Sequence, residues 1–165
     1  MAYLLAIPVL GLTLMVQLAV ISRLPLLHGT ADLVLLVLVS WALQDRARAV
    51  WFWVLIGGGA VTFVSGMPFY MPIFGYAGVI GLTRLLQRQV WQTPILALFV
   101  ATFLSTLIYH GMSLAALQIA GRGMLLVESL TMVTLPSALL NLMLALPVYI
   151  IITDLAHWIS PSGMV

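Results

Sequence analysis

Apolar residues run almost unbroken through this chain, and the polar residues between them fall in short clusters. The first apolar run, from about Tyr3 to Ile21, closes at Ser22-Arg23-Leu24-Pro25 and predicts a helix. After Leu26-Leu27-His28-Gly29 a second helix is predicted to run to about Leu43. Thr30 is placed to cap it, with Asp32 in its first turn, where a carboxylate favours the helix dipole. At roughly 14 residues, or about 20 Å, this helix is short for a crossing. Either it begins earlier, at Pro25, or it crosses part way and is shielded by its neighbours. Gln44 to Arg48 forms a polar loop. The third helix opens with Val50-Trp51-Phe52-Trp53, an aromatic cluster of the interfacial kind, and reaches about Gly66. The link from Met67 to Pro72 is uncharged and carries two prolines, which predicts a tight turn. A fourth helix runs from about Pro72 to Leu86, with Arg84, Arg88 and Trp91 marking its far interface. Thr93-Pro94 starts a fifth, a capping hydroxyl followed by proline at the first helical position, which reaches about Ala120. Gly121-Arg122-Gly123 breaks it. Met124 to Leu135 reads either as a lateral helix or as the first turns of the sixth. Thr134-Leu135-Pro136 repeats the cap-and-proline pattern, and the sixth helix continues to about Trp158, with a kink expected at Pro147.

Composition turns these runs into a class. Of 165 residues, 64% are hydrophobic, six are basic and four acidic, and runs of about 17–25 apolar residues cross a hydrocarbon core. The expected fold is all-α: one polytopic membrane domain over residues 1–165, with about six transmembrane helices and no evident internal repeat. The chain has no cysteine, which excludes disulfides, iron–sulfur clusters and thiolate chemistry. All six basic residues are arginine, so no lysine imine can form. Arginines spread over loops fit the positive-inside pattern rather than nucleic-acid binding. The first helix lacks a basic leader and a small-residue cleavage site, so it is expected to be retained. With six crossings and the N-terminus inside, the inner loops hold Arg46, Arg48, Arg84 and Arg88 and the outer loops Arg23 and Arg122. Both termini are therefore expected in the cytoplasm.

The candidate sites lie on three helices. Gly58, Thr62 and Gly66 repeat every four residues on the third helix, a small-residue face that lets backbones approach. Gly57 and Gly59 flank it, and Gly75, Gly78 and Gly81 follow on the fourth. A phosphate loop is ruled out by the missing lysine. On the fifth helix Ser105, Thr106, Tyr109 and His110, with Thr102 and Ser113, gather on one side. They read either as interhelical hydrogen bonding or as a polar pocket with His110 titrating. A haem there would lack a second intramembrane histidine. Asn141, one turn after Ser137, needs a partner in hydrocarbon. Asp154 reads as an ion-pair or interface position near His157, and Glu128 as a solvated loop residue. No hydrolase motif and no dimetal acid set appears, so no catalytic residue, metal or cofactor is expected.

Several stretches then carry a family likeness. They are Asp32-Leu33-Val34-Leu35-Leu36-Val37-Leu38-Val39 after a glycine-containing loop, the glycine-rich third helix, Phe74-Gly75-Tyr76-Ala77-Gly78, and the closing run from Pro136-Ser137-Ala138-Leu139-Leu140-Asn141 to Pro147-Val148-Tyr149. With the length and helix number, these resemble the MreD family of rod shape-determining proteins. The opening of the last helix, proline and small residues and then Asn141, is the most specific piece. An acidic residue common after the third-helix glycines of that family is absent between Thr62 and Gly66. The resemblance implies a non-enzymatic scaffold of the bacterial elongation machinery in the inner membrane. It implies binding to the bitopic protein MreC, and through it to MreB, RodA and the class B transpeptidase partner of RodA. The candidate partner surfaces are the Gly58/Thr62/Gly66 face and the face of Pro136, Ser137 and Asn141. The family's fold is thought similar to that of the S subunits of energy-coupling-factor vitamin transporters, and such a subunit is the alternative reading. A third is an accessory subunit of a respiratory or photosynthetic complex, with His28, His110 or His157 as ligands.

Overall fold

The computed structural model describes residues 2–23, 26–44, 47, 49–89, 94–121 and 125–159, and every regular element in them is a helix. The helices are α1 (Ala2–Ala19), α2 (Leu33–Ala42), α3 (Val50–Val64), α4 (Tyr70–Gln89), α5 (Pro94–Ile119), α6 (Leu126–Ser129) and α7 (Leu135–Ile159). A tight 3-10 turn, Ile21–Arg23, follows α1. A π-helical turn, Leu130–Thr134, joins α6 to α7, so Val127–Ile159 is one apolar rod of 33 residues. Among the described residues, three stretches are long and apolar enough to cross a membrane: Tyr3–Arg23, Pro94–Ile119 and Val127–Ile159.

The short second helix is the axis of the molecule. All ten residues of α2 are buried, and α1, α3, α4, α5 and α7 all pack on it. Around it α1 packs on α3, α3 on α4, α4 on α5, and α5 on α7. Ten residues rise about 15 Å, half of a hydrocarbon core of about 30 Å. The helix does not begin at Pro25; it begins and ends inside its neighbours, the shielded alternative. Its sequence, Leu33 to Ala42, carries polar atoms only at Ser40 and the Trp41 indole, as a helix apolar on every side requires. Trp41 stacks on Trp53 of α3, with ring centroids 4.3 Å apart and planes 9° apart. Trp53 is thus a core residue rather than an interfacial one, whereas Trp51 beside it is exposed.

Successive helices alternate in direction. The N-terminal end of α2 lies level with Gln17 of α1 and Asn141 of α7. At its C-terminal end Gln44 bonds Thr153 of α7 and Gln87 of α4 bonds Leu43. Arg84 reaches the carbonyl of Ala47, and Tyr3 meets Phe52 edge-on. The start of α1, the α2–α3 connection, the end of α4 and the end of α7 therefore share one end of the bundle. Arg46, Arg48, Arg122 and Trp91 lie outside the described residues, as does the side chain of Arg88.

Some boundaries differ from expectation for identifiable reasons. The stretch from Met124 to Leu135 supplies, from Leu126 onward, the opening turns of the last rod. Thr134 does not cap a new helix: it lies in the π turn, and its buried hydroxyl has no hydrogen-bond partner. α7 runs through Pro147 to Ile159, in keeping with the expected end near Trp158. Gly66 lies beyond the end of α3 with open space around it, so the expected Gly58/Thr62/Gly66 stripe is not continuous. Thr62 donates back to the Gly58 carbonyl at 2.8 Å.

Two adjacent glycines seat α3 against two neighbours. A Cβ on Gly57 would lie 3.2 Å from Val34 of α2, and one on Gly58 would lie 2.8 Å from the Ile73 Cα of α4. Gly59 faces open space. Gly58→Ala is expected to cost about 1–3 kcal/mol by overpacking, because backbone cannot move aside as a side chain can. Gly59→Ala is expected to be neutral or to stabilise by up to about 1 kcal/mol through helix propensity. Thermal unfolding of the two variants in detergent measures the contrast, and equal midpoints would contradict this packing.

Candidate functional site

A helix that starts inside a bundle leaves its first backbone N–H groups without intrahelical partners. Burying such a donor unsatisfied costs about 1–3 kcal/mol. The polar residues of this chain converge on that problem at the start of α2. Asp32 has extended backbone angles (φ −107°, ψ 93°) and is the N-cap. Its Oδ1 accepts from the Leu35 N–H at 3.0 Å, and its carbonyl accepts the first intrahelical bond, from Leu36 at 3.1 Å. The cap is therefore Asp32, one residue outside the helix, and not Thr30. The Val34 N–H donates to Gln17 Oε1 of α1 at 3.1 Å.

The remaining bonds come from α4, α5 and α7. The Tyr76 hydroxyl of α4 donates to Asp32 Oδ2 at 2.8 Å. The Asp32 N–H donates to Asn141 Oδ1 at 2.8 Å. The Asn141 amide donates in turn to Thr106 Oγ1 of α5 at 3.0 Å, and the Thr106 hydroxyl donates to the Thr102 carbonyl at 2.8 Å. The Thr30 N–H donates to Ser137 Oγ of α7 at 3.1 Å. Tyr76 lies flat against Tyr109, with ring centroids 4.8 Å apart and planes 11° apart. Gly75 permits that stack, since a Cβ there would sit 2.8 Å from the Tyr109 ring.

Pro136 explains how the preceding loop is held. Proline has no N–H, so in the α-helical pattern it leaves the carbonyl of residue 132 without its donor. The His28 N–H supplies that bond to the Met132 carbonyl at 3.1 Å. Leu26 and Gly29 pair reciprocally at 2.9 Å, which folds the loop onto the rod. Gly29 is the contact point: a Cβ there would meet the Ser137 nitrogen at 2.6 Å and Pro136 at 2.8 Å.

The structure thus brings Thr106, Tyr109, Pro136, Ser137 and Asn141 together around Asp32 and Tyr76. It leaves the α3 positions Gly58, Thr62 and Gly66 elsewhere. Ser105 is buried on α5 with its hydroxyl unbonded. His110 is partly buried and meets Tyr109 edge-on at 6.2 Å. Both oxygens of Asp32 are engaged, and Asn141 bridges two helices with its two ends. Such an arrangement fixes helix positions and offers no aligned nucleophile and base. Among the described residues no three His, Asp or Glu side chains gather to hold a metal ion.

Tyr76 and Gln17 are the members that sequence reasoning did not place here; Asp32 stands at the start of the second helix as expected, though as its cap rather than in its first turn. Their signal was present: each is an isolated polar group beside long apolar stretches, and Asp32 directly precedes the most apolar helix of the chain. Comparison with family models, curated proteins and solved structures finds no match to this chain.

The cap can be tested by graded replacement. Asp32→Ala is expected to lower stability by about 1–2 kcal/mol, whereas Asp32→Asn, an equally good capping residue, should retain most of it. Asn141→Ala leaves the Asp32 N–H without its acceptor and is expected to cost about 1–3 kcal/mol. Unfolding midpoints in detergent give the order wild type, Asp32→Asn, Asp32→Ala. An alanine variant as stable as wild type would remove the cap from this account.

Proposed function

We propose that this protein is a non-enzymatic scaffold of the bacterial cell-elongation machinery, of the MreD kind, which binds MreC in the inner membrane. Through MreC it would act with MreB, RodA and the class B transpeptidase partner of RodA in peptidoglycan synthesis. The observation that carries this reading is that the polar side chains gathered at the start of α2 bond one another and the backbone. Asp32, Tyr76, Thr106, Ser137 and Asn141 spend their bonding capacity on helix ends and helix contacts. What remains for partners is an apolar exterior, with Leu12, Leu55, Phe63, Leu85 and Ile151 among the exposed side chains. An exterior of that kind suits lipid and other membrane helices.

Six crossings fit this reading: the three long stretches, α4, the shorter α3, and α2, whose ends are met by side chains of its neighbours. Both ends of the described chain lie at the bundle end that carries Arg84. By the positive-inside pattern that end is assigned to the cytoplasm.

Affinity purification of the tagged chain from its own membranes in mild detergent, with mass spectrometry of proteins and bound small molecules, tests the reading. MreC is the expected co-purifying protein, with RodA-type synthase components following it. Recovery of two ATPase subunits with a transmembrane coupling subunit, or of a bound vitamin, would replace this reading with a transporter S subunit.

A further inference from the structure

The ring of helices around α2 is one helix short. Packed helices lie about 8–10 Å apart, so a central helix accepts roughly six neighbours of its own width. Here α1, α3, α4, α5 and α7 stand in unbroken order around it. The two ends of that sequence, α1 and α7, are separated by a groove of about 620 Å³. Leu12 and Val16 of α1 form one wall, Val148 and Ile151 of α7 the other, and Leu33 and Val37 of α2 the floor. These floor residues, one helical turn apart, are 8% and 5% exposed, while Leu35 and Leu38 of the same helix are fully covered. Even the central helix is therefore thinnest in cover along this line.

The groove is apolar except for Thr13, whose hydroxyl donates to the Val9 carbonyl of its own helix at 2.7 Å, and for one end. There Asp154 lines it beside Trp158. Asp154 is exposed; of the two readings, ion pair with His157 or interface position, the ion pair is not formed, and the carboxylate has no hydrogen-bond or ion-pair partner among the described residues. Its neighbour Thr153 bonds Gln44 at the C-terminal end of α2, so this carboxylate lies at the bundle end assigned to the cytoplasm. A membrane helix that enters the cytoplasm there carries Lys or Arg at that level by the positive-inside pattern.

We propose that the groove between α1 and α7 is the seat of a single transmembrane helix from a bitopic partner, with a basic residue at its cytoplasmic end paired to Asp154. This inference rests on the scaffold reading and names the surface through which MreC binds. It moves the contact away from both faces expected from sequence. The Gly58 face is occupied by α4, and Ser137 and Asn141 are occupied by the loop and cap of α2.

The absence of cysteine allows a direct test in the full-length protein. Single cysteines are introduced at Leu12 and Ile151, on the groove walls, and at Leu55 and Leu85, exposed on α3 and α4. Each is labelled with a benzophenone maleimide in membranes that contain co-expressed MreC, then irradiated. Adducts to the MreC transmembrane helix are expected from Leu12→Cys and Ile151→Cys and not from Leu55→Cys or Leu85→Cys. Asp154→Lys should lower the groove adducts about tenfold through like-charge repulsion, and reversal of the partner's basic residue to Asp should restore them. MreC adducts at Leu55→Cys or Leu85→Cys with only lipid adducts in the groove would overturn the seat and leave the scaffold reading standing. Unchanged yield in Asp154→Lys would overturn the charge pairing. A lack of MreC adducts at all four positions, together with a lack of co-purification, would overturn both the seat and the scaffold reading.

Discussion

Everything in this bundle answers to one constraint: a ten-residue helix buried along its whole length has backbone groups at both ends that face other helices rather than open solvent. A helix that ended in water would leave those groups to be hydrated. Here the N–H groups of Leu35, Val34 and Asp32 are met by Asp32 Oδ1, by Gln17 of α1 and by Asn141 of α7, while Ser137 of α7 holds Thr30 in the loop just before them. At the other end Gln87 of α4 donates to the Leu43 carbonyl at 3.2 Å, and Gln44 donates to the Ser40 carbonyl and to Thr153. Side chains from three neighbouring helices thus terminate the central one, and in doing so they set the heights of those helices relative to it.

The same economy governs the close contacts. With an apolar exterior there is little to be gained from burying one more leucine, so backbone proximity carries more of the packing. Gly57 and Gly58 admit α2 and α4 on adjacent faces of α3, Gly75 admits the Tyr109 ring, and Gly29 admits the loop onto the rod. Glycines without such a neighbour, at positions 59, 66 and 81, sit in the same sequence clusters. The cluster alone therefore does not say which glycine is in use.

How much was legible follows from this. Long apolar runs and their breaks located the helices to within a few residues, because segment length and apolar composition are properties of single stretches. The polar faces around Thr106 and Asn141 were also legible, since isolated polar groups in apolar helices demand partners. The identity of the partners was not, because it depends on relative heights: Asp32 and Asn141 meet across 109 positions, and no local pattern encodes that pairing. Trp53 was misplaced for a related reason. An aromatic cluster at a helix start looks the same whether its members face outward or, as Trp53 does, stack on a residue such as Trp41.

The pairing of the second helix with the last has a consequence for how the protein comes into being. Asp32 leaves the ribosome well before its acceptor Asn141, 109 positions later, and Thr30 well before Ser137, 107 positions later. Until the final rod arrives, the start of α2 has only its own carboxylate and Gln17 to satisfy it. Contacts between distant parts of a chain form late and at an entropic cost. A nascent chain that has not yet reached Ser137 therefore holds an axis whose N-terminal end lacks two of its bonding partners.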